Sequence, residues 1–319
     1  LMQYRSLGRS ALKVSELALG TMNLGPRTPE AEAFLMLNQA VSSGINFVDT
    51  ADQYGGHLGV GATESLLGRW LAEDPGRRQG LVLASKVYEP MSDDVNNRGL
   101  SARHIVSACE ASLKRLGIET IDLYQMHHID RSAPLDEIWQ AMDRLITQGK
   151  IIYVGSSNFP GWGIAQTNER RGFQQQLGLV SEQSLYNLFT RHAELEVIPA
   201  CQSYGIGLLP WSPLAGGLLA GPSSTAGRRQ QLEAMRALHA GQLEAFEAFC
   251  AALGMGPSIV ALAWLLQQPA VASVMIGPSS VTQLEQALTA GSLKLDVAQL
   301  ARLDEIFPPM GPAPEAYAW

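Results

Sequence analysis

Short apolar runs recur along the chain at fairly regular intervals. Most are apolar throughout rather than alternating, which is typical of parallel strands covered on both faces. The runs are ELALG, NFVDT, LVLASK, IDLYQM, IIYVGSS, GLVSEQ, GIGLLPW and VASVMIG. Helical patterns lie between them: Ile105, Cys109, Leu113 and Leu116 form one stripe, and Gly117 predicts the end of that helix. The pattern therefore predicts eight strand-then-helix units.

The predicted strands end near residues 20, 49, 86, 127, 157, 183, 211 and 277. Eight regular units predict an α/β protein, a single (β/α)8 TIM barrel, rather than a doubly wound sheet. A dinucleotide-binding sheet of that second kind would carry GxGxxG after an early strand, and the chain has neither this pattern nor GxxxxGK. No linker divides the chain, so residues 1–319 are expected to form one domain.

Three additions to the barrel are expected. The segment YRSL-GRS-ALKV before the first strand predicts a β-hairpin that closes the bottom of the barrel. The interval between the seventh and eighth strands is long enough for an extra helix, within 228–252, and further helix is expected at the C-terminus.

Composition narrows the class of protein. The chain has 319 residues, 46% hydrophobic and 17% charged, with a net charge of −7, which excludes a disordered or coiled-coil protein and argues against a nucleic-acid partner. No run approaches the roughly 20 apolar residues of a membrane helix, and no signal peptide is evident. The three cysteines, Cys109, Cys201 and Cys250, are far apart and suggest neither disulfides nor a metal site. We expect a cytoplasmic enzyme with a small-molecule partner.

Polar residues stand where the predicted strands end, the face on which barrels of this kind carry their active sites. Asp49, Tyr54, Lys86 and His127 are an acid, a phenol, a base and an imidazole on successive strand ends. Taken alone, the aspartate could cap a loop, the tyrosine could lie in a turn, and the histidine could be packed; the lysine follows an apolar run and needs a partner. Their combination predicts an active site. His128 is expected to face away from it.

These motifs resemble those of the aldo-keto reductases. DTADQYG, LASKV, DLYQMHHID, GSSNF, SEQSLYN, WSPLAGGLL and IGPSSVTQL follow one another in the family's order and spacing, from residue 3 to about 306. The chain is most similar to the bacterial branch related to potassium-channel β subunits and actinomycete sugar reductases.

The resemblance implies an NAD(P)H-dependent oxidoreductase that reduces an aldehyde or ketone to the alcohol. Tyr54 would give the proton, and Lys86 would pull the pKa of the phenol from about 10 toward about 7, worth roughly 4 kcal/mol. Asp49 would hold Lys86, and His127 would donate to the carbonyl oxygen as a neutral imidazole.

The resemblance also implies the cofactor, NADP(H), with NAD(H) as the alternative. The implied binding residues form four groups along the chain. They are Gly20, Thr21 and Met22, with Asp49 in a second role; Ser157, Asn158 and Gln183 for the carboxamide; Trp211, Ser212, Pro213, Leu214, Gly216, Gly217 and Leu218 for the ring and pyrophosphate; and Gly277, Ser279 and Gln283 for the adenosine.

Two positions depart from the family's pattern. Where relatives have a lysine for the pyrophosphate this chain has Pro222, so that cation is missing unless Arg228 or Arg229 takes its place. Where relatives have an arginine for the 2′-phosphate it has Ser279, which predicts a weaker preference for NADPH over NADH. SVTQ, residues 280–283, also fits a helix capping box.

Two alternative functions remain open at this point. One is a keto- or enoyl reductase of nucleotide-linked sugars in deoxysugar biosynthesis. The other is a regulatory or sensor subunit that holds nucleotide, as channel β subunits do. The sequence leaves the physiological substrate and the oligomeric state open.

Overall fold

The computed structural model describes residues 2–221 and 229–318, and its centre is a sheet of eight parallel strands in the order β10-β3-β4-β5-β6-β7-β8-β9. Two short antiparallel strands precede this sheet. The strands are Tyr4–Ser6 (β1), Lys13–Ser15 (β2), Leu17–Gly20 (β3), Phe47–Asp49 (β4), Val82–Val87 (β5), Ile121–Met126 (β6), Ile151–Ser157 (β7), Leu179–Leu185 (β8), Gly207–Trp211 (β9) and Val274–Ile276 (β10).

Helices follow the strands of the large sheet. They are Glu30–Ser42 (α1), Ala62–Glu73 (α2), Ala102–Leu116 (α3), Leu135–Thr147 (α4), Gly161–Phe173 (α5), Val197–Tyr204 (α6), Arg229–Leu238 (α7), Ala240–Ala252 (α8), Pro257–Leu266 (α9), Val281–Thr289 (α10), Val297–Ile306 (α11) and Glu315–Ala318 (α12). The helix predicted from the Ile105 stripe is α3: Ser101 caps its first turn, and Gly117, at φ 65°, ends it in the left-handed conformation.

The sheet closes between β9 and the segment before β10. The Leu208 N–H donates to the carbonyl of Ala270 at 2.9 Å, and the Ala272 N–H donates to the carbonyl of Leu208 at 2.9 Å. This joint, which we call the seam, lies at the lower end of the two strands. Together with the helices between the strands, it confirms the predicted (β/α)8 barrel.

The predicted N-terminal hairpin is confirmed as β1 and β2. Its residues Leu7 and Val14 are fully buried and pack against Phe47, Leu123 and other side chains inside the barrel. Burying large apolar side chains there removes them from water and leaves the opposite end of the barrel for chemistry. The hairpin thus closes the bottom, and the strand ends form the open top.

The extra helices before the last strand and at the C-terminus are also confirmed, with one difference. The single helix expected within 228–252 is two, α7 and α8, because the backbone leaves helical geometry at His239 (φ −114°, ψ 25°). The His239 ring packs edge-on against Phe189, with ring centroids 4.6 Å apart. Among the described residues no single helix has the length and apolarity to cross a membrane; the pair α8 and α9, bent by 89°, passes that test only jointly.

Candidate active site

The four residues predicted to react lie at the top of three neighbouring strands; we call Asp49, Tyr54, Lys86 and His127 the tetrad. Asp49 is the last residue of β4, Lys86 lies near the end of β5, and His127 directly follows β6. Tyr54 belongs to the loop after β4. Because parallel strands present their carboxyl ends on one side of the sheet, these separate segments meet in one place.

The Lys86 ammonium is fully buried and organises the site. It donates to Asp49 Oδ2 at 2.6 Å, to the Thr50 carbonyl at 2.9 Å and to the Tyr54 hydroxyl oxygen at 3.1 Å. An ammonium has three donors, and all three are used. Because the tyrosine oxygen accepts from Lys86, its own hydrogen remains free to donate to another group.

Asp49 is held by two amide side chains that sequence reasoning did not assign to it. Its Oδ1 accepts from Gln125 Nε2 at 2.8 Å and from Gln183 Nε2 at 3.1 Å, and the two amides bond each other at 3.2 Å. Gln183 was expected to bind a carboxamide; its Nε2 is instead committed inside the barrel, and its Oε1 remains available. A polar residue in the apolar run IDLYQM was the available signal for Gln125.

Tyr54 does not show the lowered pKa that the sequence predicts. Burial is the largest influence and raises the pKa of the phenol above 10.0, and the Lys86 charge opposes this without overcoming it. For Lys86 burial is again the largest influence and lowers the pKa, but Asp49 and Tyr54 outweigh it and leave the pKa above 10.5. The site therefore holds a protonated phenol beside a lysine cation.

His127 matches the neutral imidazole expected there. Burial, then the Lys86 charge, lowers its pKa from 6.5 to about 2. Its ring lies edge-on to Tyr54, with centroids 6.0 Å apart, and its Nδ1 is buried without a hydrogen-bond partner in the described structure.

The prediction that His127 and His128 face opposite ways is wrong. β6 ends at Met126, so strand alternation does not extend to them, and their rings stack at 5.0 Å with planes 6° apart. His128 also contacts Glu89, with Nε2 to Oε1 at 2.9 Å, and its Nδ1 is 3.4 Å from Asn158 Nδ2.

Two of the residue groups expected to bind nucleotide are joined at β7, β8 and β9. Ser157 donates from Oγ to the Gln183 carbonyl at 2.8 Å. Asn158, in the left-handed conformation at φ 56°, accepts from Trp211 Nε1 at 3.0 Å and donates to the His127 carbonyl at 3.1 Å. These bonds place the half-buried Trp211 indole beside the tetrad, in a position where the planar ring of a ligand could stack on the indole.

The segment after β9 departs from regular backbone. Positive φ angles occur at Ser212 (53°), Ala215 (50°), Gly216 (67°) and Gly217 (104°). No atom of the described residues lies within 4 Å of a Cβ built on Gly216, so these residues leave space beside this backbone. Pro213, Leu214 and Leu218 lie in the same segment, which thus offers room for a pyrophosphate. Pro222, Arg228 and the side chain of Arg229 lie outside the described residues.

The remaining groups meet at β3 and β10. Thr21 donates to the Asp49 carbonyl at 2.9 Å, and a Cβ on Gly20 would stand 3.2 Å from the Ile276 carbonyl oxygen. Met22 is 60% exposed. Gly277 follows β10. The free Gln183 oxygen, the Trp211 ring and the open Gly216 backbone together fit a nicotinamide nucleotide lying across the strand ends.

The Ser279 side chain is engaged within its own loop. Its N–H and Oγ donate to Gln283 Oε1 at 2.8 and 3.0 Å, while Ser280 Oγ accepts from the Gln283 N–H at 3.3 Å. Ser280 therefore caps α10 as expected. The second bond of the predicted capping box is redirected, because Gln283 bonds Ser279 rather than the N–H of Ser280.

Two buried acids, Asp52 and Glu182, were not predicted from the sequence. Burial, and next Glu64, raises the pKa of fully buried Asp52 well above 3.8, and neither of its carboxyl oxygens has a partner in the described structure. Burial also raises the pKa of Glu182 to about 7. Within residues 2–221 and 229–318, no three His, Cys, Asp or Glu side chains are grouped so as to hold a metal ion.

The chain is similar to known proteins over nearly its whole length. The profile of the Aldo/keto reductase family matches residues 16–307. An uncharacterized oxidoreductase, YrpG, of Bacillus subtilis is 47% identical over the full length of both chains. A probable voltage-gated potassium channel subunit beta of Arabidopsis thaliana is 32% identical (99% of this chain, 100% of the relative). Versiconal hemiacetal acetate reductase of Aspergillus parasiticus is 31% identical (97% and 98%). The chain therefore belongs to the aldo/keto reductase family.

Proposed function

We propose that this oxidoreductase reduces the carbonyl group of a small aldehyde or ketone with NADPH, with NADH as the alternative, and that Tyr54 is the proton donor. The observation that carries the proposal is the use of the three Lys86 donors. They hold Asp49, the Thr50 carbonyl and the Tyr54 oxygen, which leaves the phenol hydrogen directed to a further acceptor.

The chemistry divides between the cofactor and the chain. A bound reduced nicotinamide supplies a hydride to the carbonyl carbon. Tyr54 gives its proton to the carbonyl oxygen as negative charge develops there, and Lys86 stabilises the phenolate left behind. His127, neutral because of its low pKa, donates a hydrogen bond to the same oxygen and orients the substrate.

The raised pKa of Tyr54 suits reduction. A phenol whose pKa lies above 10.0 keeps its proton at neutral pH, so Tyr54 is protonated before each turnover. The raised pKa makes the phenol a weaker acid, but the alkoxide formed from the substrate is a much stronger base than a phenolate and still accepts the proton. The reverse reaction needs the phenolate and is therefore favoured only under alkaline conditions.

The relatives support the same reaction class. One is named versiconal hemiacetal acetate reductase and two are named putative aryl-alcohol dehydrogenases, and both kinds of name describe carbonyl and alcohol chemistry. A cytoplasmic setting is part of the proposal, because Cys109, Cys201 and Cys250 are free thiols buried in the core.

The test is the loss of NADPH absorbance with a panel of aldehydes, ketones and keto sugars linked to nucleotides. We expect Tyr54→Phe to lower the reduction rate by about 10²- to 10⁴-fold, the usual contribution of a placed proton donor, with little change in nucleotide affinity. Tyr4→Phe is the matched control, because it removes a hydroxyl at the opposite end of the barrel, where Tyr4 bonds the Gly44 carbonyl.

Full activity of the Tyr54→Phe variant would refute the assignment of the proton donor. Turnover confined to the sugar nucleotides would favour the deoxysugar alternative. Nucleotide that stays bound for hours with no turnover of any carbonyl would favour the sensor alternative, which the relatives named as channel subunits suggest.

A further inference from the structure

The loop after β10 offers no cation to a nucleotide. Residues 277–293 contain neither lysine nor arginine, and Lys294 comes only after the far end of α10. Ser279 has its N–H and hydroxyl committed to Gln283. A 2′-phosphate carries nearly two negative charges and binds well when charge-assisted donors meet it. If NADPH binds here, the positively charged side chain that pairs with its 2′-phosphate must come from another element.

The loop between β3 and α1 lies directly against this end of the barrel. Asn23 Nδ2 donates to the Gly277 carbonyl at 2.9 Å, and Thr28 Oγ1 donates to the Ser279 carbonyl at 3.2 Å. On its other side the loop reaches the segment after Tyr54, since a Cβ on Gly56 would stand 3.1 Å from the Pro26 Cβ. The loop therefore spans from the tetrad to the adenosine end.

Arg27 is the cation of this loop. Its neighbour Thr28 carries the bond to Ser279, so the two backbones are close enough for a long side chain to reach. The Arg27 side chain is exposed and has no hydrogen bond or ion pair with any described residue. Nearby Arg69 is different, because its Nε donates to Glu30 Oε1 at 3.0 Å and its charge is already paired.

The backbone at Arg27 is fixed in advance. The N–H groups of Arg27 and Thr28 both donate to the Asn23 carbonyl at 3.0 Å, and Pro26 and Pro29 flank the pair. Proline restricts its own φ and the conformation of the residue before it. Little backbone freedom remains to be lost when a ligand binds, which raises the affinity that a single contact can give.

We propose that Arg27 binds the 2′-phosphate of NADPH and sets the nucleotide preference of this protein, in place of the arginine missing at position 279. The inference rests on the proposed function only for the identity of the nucleotide. It differs from the sequence-based expectation of a weaker preference for NADPH over NADH, which rests on residues 277–293 alone. The guanidinium is planar and always charged, and it meets a phosphate with two parallel hydrogen bonds, whereas NADH offers it no partner.

The test compares nucleotide binding by the purified full chain, followed through tryptophan fluorescence. The ligands are NADPH and NADH, and 2′,5′-ADP and 5′-ADP, which lack the nicotinamide and report on the adenosine end alone. The variants are Arg27→Met, Arg27→Lys and the pair Arg27→Met with Ser279→Arg. Arg103→Met is the matched control, because Arg103 is also an exposed arginine but lies on α3, between β5 and β6.

We expect Arg27→Met to weaken NADPH and 2′,5′-ADP by about 10- to 150-fold, the range for a lost charged hydrogen bond, and to leave NADH and 5′-ADP within about twofold. Arg27→Lys should keep part of the affinity. Adding Ser279→Arg to Arg27→Met should restore it, because the new guanidinium approaches the same phosphate from the facing loop.

Equal changes for NADPH and NADH, or no change in either with Arg27→Met, would overturn the inference. The outcome is separable from the proposed function. If the binding pattern holds and no carbonyl is reduced, the inference stands and the proposed function fails. If the wild-type protein binds neither nucleotide, both fail.

Discussion

Replacing Glu182 by glutamine tests whether a buried acid of β8 makes stability depend on pH. The Glu182 side chain is fully buried and accepts from Ser184 Oγ at 2.6 Å and from the Phe159 N–H at 3.1 Å, with Ser156 Oγ at its other oxygen. No described cation pairs with it. Burial therefore dominates and raises its pKa from 4.5 to about 7.

The sign of the effect follows from proton binding. Because the folded state holds this proton more tightly than the unfolded chain, the stability contribution is fully present below pH 4.5 and is lost as pH rises through about 7. The complete shift is worth about 3.5 kcal/mol at ~1.4 kcal/mol per pKa unit, of which roughly 2.5 kcal/mol is lost between about pH 5 and about pH 8.5. Glutamine resembles the protonated acid in shape and does not titrate.

Urea unfolding of both proteins at about pH 5 and about pH 8.5 measures this difference. From about pH 5 to about pH 8.5, we expect the free energy of unfolding of Glu182→Gln to rise by about 2.5 kcal/mol relative to that of wild type. Glu119→Gln is the control, since the Glu119 side chain is exposed. A stability difference between Glu182→Gln and wild type that is the same at both pH values would refute the reasoning, as would an equal pH effect in Glu119→Gln.

Two further predictions concern the tetrad. Lys86→Met should lower the carbonyl reduction rate by about 10²- to 10⁴-fold in the NADPH absorbance assay, because the phenolate of Tyr54 loses its stabilising charge; an active variant would contradict this. His128→Ala should lower kcat/KM by up to about 10-fold, because the stacked ring that holds His127 is worth ~0.5–1.5 kcal/mol. His128→Phe should recover most of this loss, and an equal loss in both variants would show that stacking is not the cause.

The barrel could be predicted from sequence because its signals are local. Each apolar run marks a strand by itself, and Gly117 marks the end of α3 by its need for a left-handed backbone. The break between α7 and α8 has no such local signal. It coincides with a ring contact between His239 and Phe189, which are distant in sequence.

The site divides in the same way. The types of the four tetrad residues and their positions at strand ends could be predicted, and the contacts among Asp49, Tyr54 and Lys86 agree with these positions. The pKa of Tyr54 could not be predicted. The direction of its shift depends on how strongly burial raises the pKa compared with how strongly the Lys86 charge lowers it, and this balance is a property of the assembled site. The partners of Asp49 on β6 and β8 are likewise visible only once the barrel is closed.

Among the described residues, the seam joins the two edges of the sheet by backbone hydrogen bonds only at the lower end of the barrel. Its two hydrogen bonds involve Leu208, at the lower end of β9, whereas Trp211 and Gly277 stand above it on opposite edges. A nucleotide that contacts the loops after both β9 and β10 would link these two strands at the top of the barrel. Nucleotide binding would then also stabilise the closed barrel. We therefore expect local unfolding at the seam to be more frequent in the nucleotide-free protein than in the nucleotide-bound protein.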